Sequence, residues 1–374
     1  MAKYLDNKGV HIFWNKTKSA IEDITNEHSI TPKNTDGFLS NIHYDSNTFI
    51  DSYITEFSNF GSGRQDQCLP YIVNCNGSIL YISNSPEFIN DITKTRTYNI
   101  ENGIVKLYNL IPNKRYFYRV DKGECKSFKT KGTCRWLKLD SLKNVRDLGG
   151  IKTSLGKYIR YGRLYRGSEF SGNNGINISS NDLYELTSIL GVNTELDLRR
   201  TDEMAEHTTG TLSNYLNIAA PDFNDIKNIS DKEIIKLKNA ISYIIVNATY
   251  GYPLYYHCAW GCHRAGLITC IIYSLLGVPQ CEIDKEYELS SFSDFGTFPR
   301  NINDYHYKEC NEYISTTYGS WYNWTCDKLG IKDDIVEQFR QALIVDYTEL
   351  PFITEKEVEY VWENKTPDTP HAPY

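Results

Sequence analysis

Residues 253–279, "PLYYHCAWGCHRAGLITCIIYSLLGVP", restrict the fold of this chain more than any other stretch. The apolar run after Gly251-Tyr252-Pro253 has the form of a central strand buried on both faces. From Arg264 a nearly all-apolar run reads as a helix, stopped by Gly277 and Pro279. Only a short loop separates the two. A helix, a buried strand, a loop and a buried helix in succession predict a mainly parallel or mixed sheet with helices on both faces.

The surrounding sequence extends that pattern. "VNTELDLRR" (192–200) reads as a strand with a charged exit. "SDKEIIKLKNAISYIIVNAT" (230–249) has apolar residues at helical spacing behind a Ser230 N-cap, with Glu233 completing a capping box. "DDIVEQFRQALIV" (333–345) is a late amphipathic helix. The texture differs before residue 135. There "LPYIVNC", "SILYIS", "GIVKLYNL", "KRYFYRVD" and "CKSFKT" are short β-branched or aromatic runs between turn clusters such as Asn76-Gly77 and Pro112-Asn113. They predict a small antiparallel sandwich. The expected order is an N-terminal segment without assignment (1–36), a β-sandwich (37–132), an α/β domain (136–363) and a disordered tail (364–374).

Composition removes several functions. With 40 basic against 47 acidic residues the net charge is −7, which offers no global footprint for nucleic acid or an anionic membrane. No apolar run reaches bilayer-spanning length. "MAKYLDNKGVHIFWN" has no apolar signal core, so a cytoplasmic location is expected, and a secreted one would require a leader that has been removed. None of the ten cysteines falls in a zinc spacing, and neither metal nor cofactor is expected. Cys68 with Cys75, or Cys125 with Cys134, would bridge only in an oxidising compartment; free thiols are the simpler expectation.

The loop "HCAWGCHRAG" (257–266) is where chemistry is expected. Gly261 allows a tight turn, and successive amides at a helix N-terminus form a nest for an anion. A thiol at the start of such a loop, Cys258, is expected to be present as the reactive thiolate. Arg264, in the first helical turn, carries a planar fork able to pair two oxygens of a tetrahedral oxyanion. Nucleophile, nest and clamp are the parts needed for attack on a phosphate monoester without a metal.

His-Cys-x-x-Gly-x-x-Arg at this junction resembles the cysteine-dependent protein tyrosine phosphatases, and more narrowly their bacterial dual-specificity-like branch. "NVRDLGG" (144–150), "GRLYRGSEFS" (162–171), "LGVNTELDLRRTDE" (190–203) and "LLGVPQCEIDKEYELSS" (275–291) are similar, in order, to that branch's other motifs. "LYNLIPNKRYFYRV" (107–120) resembles the late strands of fibronectin type III domains, over one hairpin. The resemblance implies an α/β phosphatase domain preceded by a small fibronectin-III-like sandwich. It implies Cys258 as nucleophile, Arg264 as phosphate clamp and His257 as the residue hydrogen-bonded behind the thiolate. The amides of Ala259, Trp260, Gly261, Cys262, His263 and Arg264 become the phosphate donors.

Two departures bear on mechanism. The bacterial branch places an aspartate just before the arginine, where this chain has His263. "AAPDFND" (219–225) instead resembles the acid loop of other tyrosine phosphatases without its tryptophan, which favours Asp222 as leaving-group acid, then Asp225, then His263. Ala265 replaces the usual hydroxyl residue, which is expected to slow phosphoenzyme breakdown. Trp260 stands as either a pocket wall or a core filler, and Cys262 as a resolving thiol or an inert one. Arg146 with Asp147 stands as pocket-lining or as an ion pair fixing the domain entrance, and Arg199 with Arg200 as facing the substrate or as a solvated strand exit. The substrate expected is a phosphoprotein or small phosphate ester, because "AWGCH" lacks the lysines of polyphosphate-directed relatives. An inositol-phosphate or phosphoinositide phosphatase and a slow pseudophosphatase acting as a binding module are the alternatives. No partner is assigned to the β-domain.

Overall fold

The computed structural model describes residues 27–31, 33–40, 68–85, 89, 95–172, 175–204, 211–293 and 301–346. Most of the 1–36 segment, residues 41–67 of the expected sandwich and the expected 364–374 tail lie outside them. The described residues fall into two compact units: 27–30 with 69–132, and 31–40 with 68 and 133–346.

The first unit is built of β1 (Glu27–Ser29), β2 (Tyr71–Asn74), β3 (Ile79–Ser83), β4 (Arg96–Asn99), β5 (Ile104–Leu107), β6 (Arg115–Val120) and β7 (Lys126–Lys131). One sheet has the order β1-β7-β6-β3-β4 and a second pairs β2 with β5. Period-two alternation puts Tyr71, Val73, Val105 and Leu107 on one inner face and Leu80, Ile82, Tyr116 and Phe128 on the other, in one shared core. The Tyr71 and Phe128 rings stack 3.7 Å apart across it. β1 comes from the segment to which the sequence assigns no structure, and it pairs in parallel with β7. A helix, α1 (Lys33–Leu39), starts before residue 37 and belongs to the second unit, so the expected boundary at 37 does not separate the two units. Its Phe38 is fully buried in a cluster with Trp136, Leu289 and Phe292, which ties it there.

In the second unit β8 (Arg135–Trp136), β9 (Arg146–Asp147), β11 (Leu164–Gly167), β12 (Thr194–Asp197), β13 (Asn214–Asn217) and β14 (Leu254–His257) form a sheet of order β13-β12-β14-β11-β9-β8. β11, β12, β13 and β14 run parallel, whereas β8 and β9 add antiparallel at one edge. β10 (Tyr158–Ile159) pairs separately with β15 (Ile344–Val345).

β14 is the central strand, and all four of its residues are buried. Leu254 and Tyr256 face the larger core and Tyr255 the smaller one, so the strand needs cover on both sides. On one side lies α2 (Ser180–Tyr184), continued by a π-helical turn. The other side carries α3 (Asp231–Thr249), α4 (His263–Leu275), α5 (Gln280–Leu289), α6 (Tyr305–Tyr318), α7 (Trp321–Leu329) and α8 (Asp333–Leu343). The Ser230–Glu233 capping box forms with both hydrogen bonds, and the chain leaves α4 through Gly277 at φ +75°.

Tyr116 of β6 sends its hydroxyl back to accept from the Ile111 amide at 2.8 Å, while Thr130 Oγ1 donates to the Ile111 carbonyl. Replacing Tyr116 by Phe leaves that part-buried amide without its partner. Unfolding of the β unit in urea is expected to shift to lower denaturant by about 1–3 kcal/mol with an unchanged slope.

Candidate active site

β14 ends at His257, and the chain turns through Cys258, Ala259, Trp260, Gly261 and Cys262 before α4 begins at His263. Gly261 has φ +69°, and a Cβ there would come within 2.3 Å of the Gly167 carbonyl oxygen. Only glycine satisfies both the backbone angle and the closeness of β11.

The loop is shaped from behind by its carbonyls. The Cys258 carbonyl faces His257 Nδ1 at 3.3 Å, and the Ala259 carbonyl accepts from the Glu169 amide at 3.1 Å. Asn144 Nδ2 donates to the carbonyls of Trp260 (3.2 Å) and Gly261 (3.4 Å). Arg166 Nη2 donates to those of Gly261 and Cys262. A planar trans peptide points its C=O and N–H in opposite directions. Tying back the carbonyls of residues 259–262 therefore turns the amides of residues 260–263 the other way. That is the geometry an anion nest requires.

A buried ionic frame holds those tethers. Arg146 and Arg166 share the carboxylate of Glu286, at 2.8 and 3.0 Å, and none of the three side chains is more than 5% exposed. Arg146 also donates to Asn144 Oδ1 and to Ser290 Oγ, which orients the Asn144 amide toward the loop. Arg166 Nη1 adds a bond to Thr269 Oγ1 in α4. Asp147 pairs with Arg135 at 2.9 Å and accepts from the amides of Gly149 and Gly162. Arg146 and Asp147 are thus structural ion pairs rather than pocket lining. So is Arg199, fully buried against Asp197, Glu169 and the Ser171 carbonyl. Arg200 is exposed and lies beside Asp202 and Glu203.

His257 Nε2 lies 3.0 Å from Glu195 Oε1, and its Nδ1 lies 3.8 Å from Asp197 Oδ1. Burial alone would lower the pKa of this imidazole, but the Asp197 and Glu195 carboxylates outweigh it and raise it. An imidazolium has two donors, one for Glu195 and one directed at the Cys258 carbonyl, immediately behind the thiol. The ligating atoms of Glu195, Asp197 and His257 lie within 4.8 Å of one another, a spacing a metal ion would accept. Each carboxylate is nonetheless already engaged by the protein: Glu195 by His257 and the amides of Thr211 and Leu212, Asp197 by Arg199 and Tyr215. Such a donor-filled pair suits an imidazolium better than a metal ion.

Arg264 is half-buried, and both terminal nitrogens are taken by Glu203, each at 2.5 Å. Nη1 also donates to the Leu198 carbonyl. Glu203 is itself held by the Arg200 amide, at the end of a 3₁₀ turn (Thr201–Glu203) that follows β12. Burial would raise the Glu203 carboxyl, but its bonds from Arg264 and the Arg200 amide bring it below the usual range. Glu203 is the residue that sequence reasoning missed. It stands at the end of "LRRTDE", and only its distance in space from Arg264 marks it. Arg166 and Glu286 were missed for the same reason, although both lie inside the quoted motifs.

Burial would lower the Arg264 pKa, but its bond to Glu203 and the charges of Cys258, Glu203 and Asp222 raise it, so the thiol and the Asp222 carboxylate both lie within electrostatic reach of the guanidinium. Asp222 is half-buried, and its Oδ1 accepts from the Asn224 amide. Asp225 instead closes the turn by accepting from the Asp222 amide at 2.9 Å. His263 is exposed at the first residue of α4. Trp260 packs against the smaller core and stays partly exposed. Ala265 is fully buried in the larger core, with no hydroxyl to offer a thiolate.

Cys262 is buried, with its Sγ against the Trp260 carbonyl and the Asn144 amide, on the frame side of the loop. It lies within electrostatic reach of Arg146, whereas Cys258 lies within reach of Arg264. The two thiols therefore occupy different sides, which fits the inert reading of Cys262. None of the ten cysteines, all among the described residues, is in a disulfide.

The mixed sheet thus delivers Cys258 from its central strand to a loop whose carbonyls are tied back, with Arg264 in the helix that follows. Residues 137–345, more than half of this chain, match the model of the tyrosine phosphatase family, and the chain belongs to that family. A provisionally named tyrosine-protein phosphatase of Cupriavidus necator is 26% identical over 173 residues, 40% of this chain and 61% of that protein. The chain thus spans about three fifths of that relative's length. Among solved structures, the core catalytic domain of the PP-IP phosphatase SIW14 from S. cerevisiae, in complex with citrate, is matched over 42% of this chain and 89% of that chain. The identity is 15% and the TM-score 0.27.

Replacing Arg166 by Met removes the tether of two loop carbonyls and leaves Glu286 with one arginine. Stability in urea is expected to fall by about 3–5 kcal/mol. The affinity for inorganic phosphate by calorimetry is expected to fall by about tenfold or more. For Cys262→Ala, peroxide treatment is expected to oxidise Cys258 as in the wild type, and mass spectrometry of the wild type to show no Cys258–Cys262 bridge.

Proposed function

We propose that this chain is a cysteine-dependent phosphatase that hydrolyses phosphate monoesters of proteins or aryl groups, phosphotyrosine above all. The observation that carries the reading is the loop itself: carbonyls tied back to Asn144, Arg166 and Glu169, with Cys258 and Arg264 beside the amides so exposed.

In the first step Cys258 Sγ attacks phosphorus while the P–O bond to the leaving group breaks, and Asp222 gives its proton to the departing oxygen. Arg264, kept in place by Glu203, offers Nε–H and the second Nη2–H, and with the loop amides these neutralise the three equatorial oxygens as charge develops there. In the second step water attacks phosphorus, the S–P bond breaks, and Asp222 takes the proton from water. The His257 imidazolium supports the thiolate through the carbonyl of Cys258. Burial of Ala265 supports a slow second step, because no hydroxyl at that position helps the sulfur leave. The β unit is read as a fibronectin-III-like sandwich, on the evidence of its two packed sheets and the Tyr116 hydroxyl that returns to the turn before β6.

The test is turnover of an aryl phosphate by purified protein. Cys258→Ser is expected to abolish it while retaining phosphate binding. Asp222→Asn is expected to lower kcat by about 100-fold or more for a substrate with a poor leaving group. A wild type without turnover overturns the reading of this chain as an enzyme.

A further inference from the structure

Asp222 sits in a turn whose neighbours are almost all buried. Ala220, Pro221, Phe223 and Ile226 are inside the protein, and between them only Asp222, Asn224 and Asp225 reach solvent. Three hydrogen bonds close the turn: Asn224 amide to Asp222 Oδ1 at 2.9 Å, Asp222 amide to Asp225 Oδ2 at 2.9 Å, and Asp225 amide to the Asp222 carbonyl at 3.1 Å. The backbone on both sides of the carboxylate is therefore fixed to itself. The Ala220 amide, bonded to the Leu198 carbonyl, and the buried Ile226 fix it to the rest of the unit, and so does the side chain of Phe223.

Phe223 is 4% exposed and enters an aromatic cage. Its ring meets Tyr307 at 5.1 Å and 66°, Tyr287 at 5.5 Å and 82°, and Trp321 at 6.5 Å and 78°, each close to the edge-to-face arrangement that aromatic pairs favour. The cage joins α5, α6 and α7. Tyr287 and Tyr307 stack at 4.0 Å, and their hydroxyls donate to Asp304 and Asp284. The same ring reaches the first turn of α4, where a Cβ built on Gly266 would lie 3.5 Å from Phe223 Cε2 and 3.7 Å from Arg166 Nη2. Phe223 thus connects the Asp222 turn to the helix that carries Arg264.

We infer that Phe223 is the positioning residue of the acid: its caged ring pins the turn of residues 221–225 so that Asp222 stands at the loop without a closing motion. The inference rests on the proposed role of Asp222 as leaving-group acid and adds how that acid is placed. A carboxylate on a moving lid depends on closure, whereas this one depends on a packed ring, so its placement fails when the ring shrinks. The side chain does not touch substrate, and its effect on kcat/KM, which ends at the phosphoenzyme and leaves out the slow second step, should appear only where the leaving group needs the proton.

The experiment compares two aryl phosphates, phenyl phosphate, whose leaving group needs protonation, and 2,4-dinitrophenyl phosphate, whose leaving group does not. Wild type, Asp222→Asn, Phe223→Leu and the double variant are assayed on both, with the inhibition constant of inorganic phosphate as a check on the loop. Phe223→Leu is expected to lower kcat/KM on phenyl phosphate by about tenfold or more. The kcat/KM of the dinitrophenyl ester and inhibition by phosphate should stay within about twofold, and the double variant should be no worse than Asp222→Asn. Equal losses on both esters, or no loss on either, overturn the inference while a selective Asp222→Asn leaves the acid role standing. If Asp222→Asn keeps phenyl phosphate turnover, the acid role itself fails and takes the inference with it. Phe223→Met, unbranched and better able to fill an irregular gap, replaces the leucine variant if that protein does not fold, and the same outcomes apply.

Discussion

The carboxylate of Glu286, shared by Arg146 and Arg166, is the interaction on which the rest of the site depends. Two buried guanidinium groups on one carboxylate leave an unbalanced positive charge, and burying such groups is costly unless their geometry is satisfied. Here nearly every donor has a task. Arg166 ties the Gly261 and Cys262 carbonyls, and Arg146 orients Asn144, which ties Trp260 and Gly261. The loop's shape is therefore imposed by the frame behind it. An apolar replacement of the frame could pack as well, but it could not hold carbonyls.

Opposing charges limit how far the frame alone can favour an anion. The cluster under β12 sets Glu169, Glu195 and Asp197 against Arg199 and His257, an excess of one negative charge even with the imidazole protonated. Proximity decides between the two clusters. Arg166 bonds directly to the loop, while Asp197 and Glu195 spend their charge on Arg199, His257 and backbone amides. The His257 ring, at the boundary, converts that negative charge into a donor behind Cys258.

Much of this was legible in the sequence because it depends on local pattern. The apolar alternation in "PLYYHC" sends Leu254 and Tyr256 to one core and Tyr255 to the other, which forces helices on both faces. Ser230 with Glu233, and Gly277 after α4, are local signals with local causes. The start of the β region was less legible, because α1 takes its place through Phe38 and a cluster distant in sequence. The roles of Arg146, Asp147 and Arg199 were also open, since an arginine after a strand looks the same whether it faces a ligand or a buried carboxylate. Glu203 and Phe223 carried no signal of their own. Both are ordinary residues in loops, 61 and 41 positions from Arg264.

What the sequence by itself determined is the strand–loop–helix junction: a central strand, a glycine where only positive φ fits, a cysteine at the loop's start and an arginine in the helix's first turn. Periodicity, turn chemistry and the ends of secondary structure are set by neighbours along the chain, so they can be read there. Only the tertiary structure decided which carbonyls are tied back, which carboxylate holds Arg264, which side of the loop Cys262 occupies, and which ring pins the turn that carries Asp222. Those outcomes depend on charges and side chains brought together from separate strands and helices, and a burial cost or an ion pair exists only once the fold has closed around it.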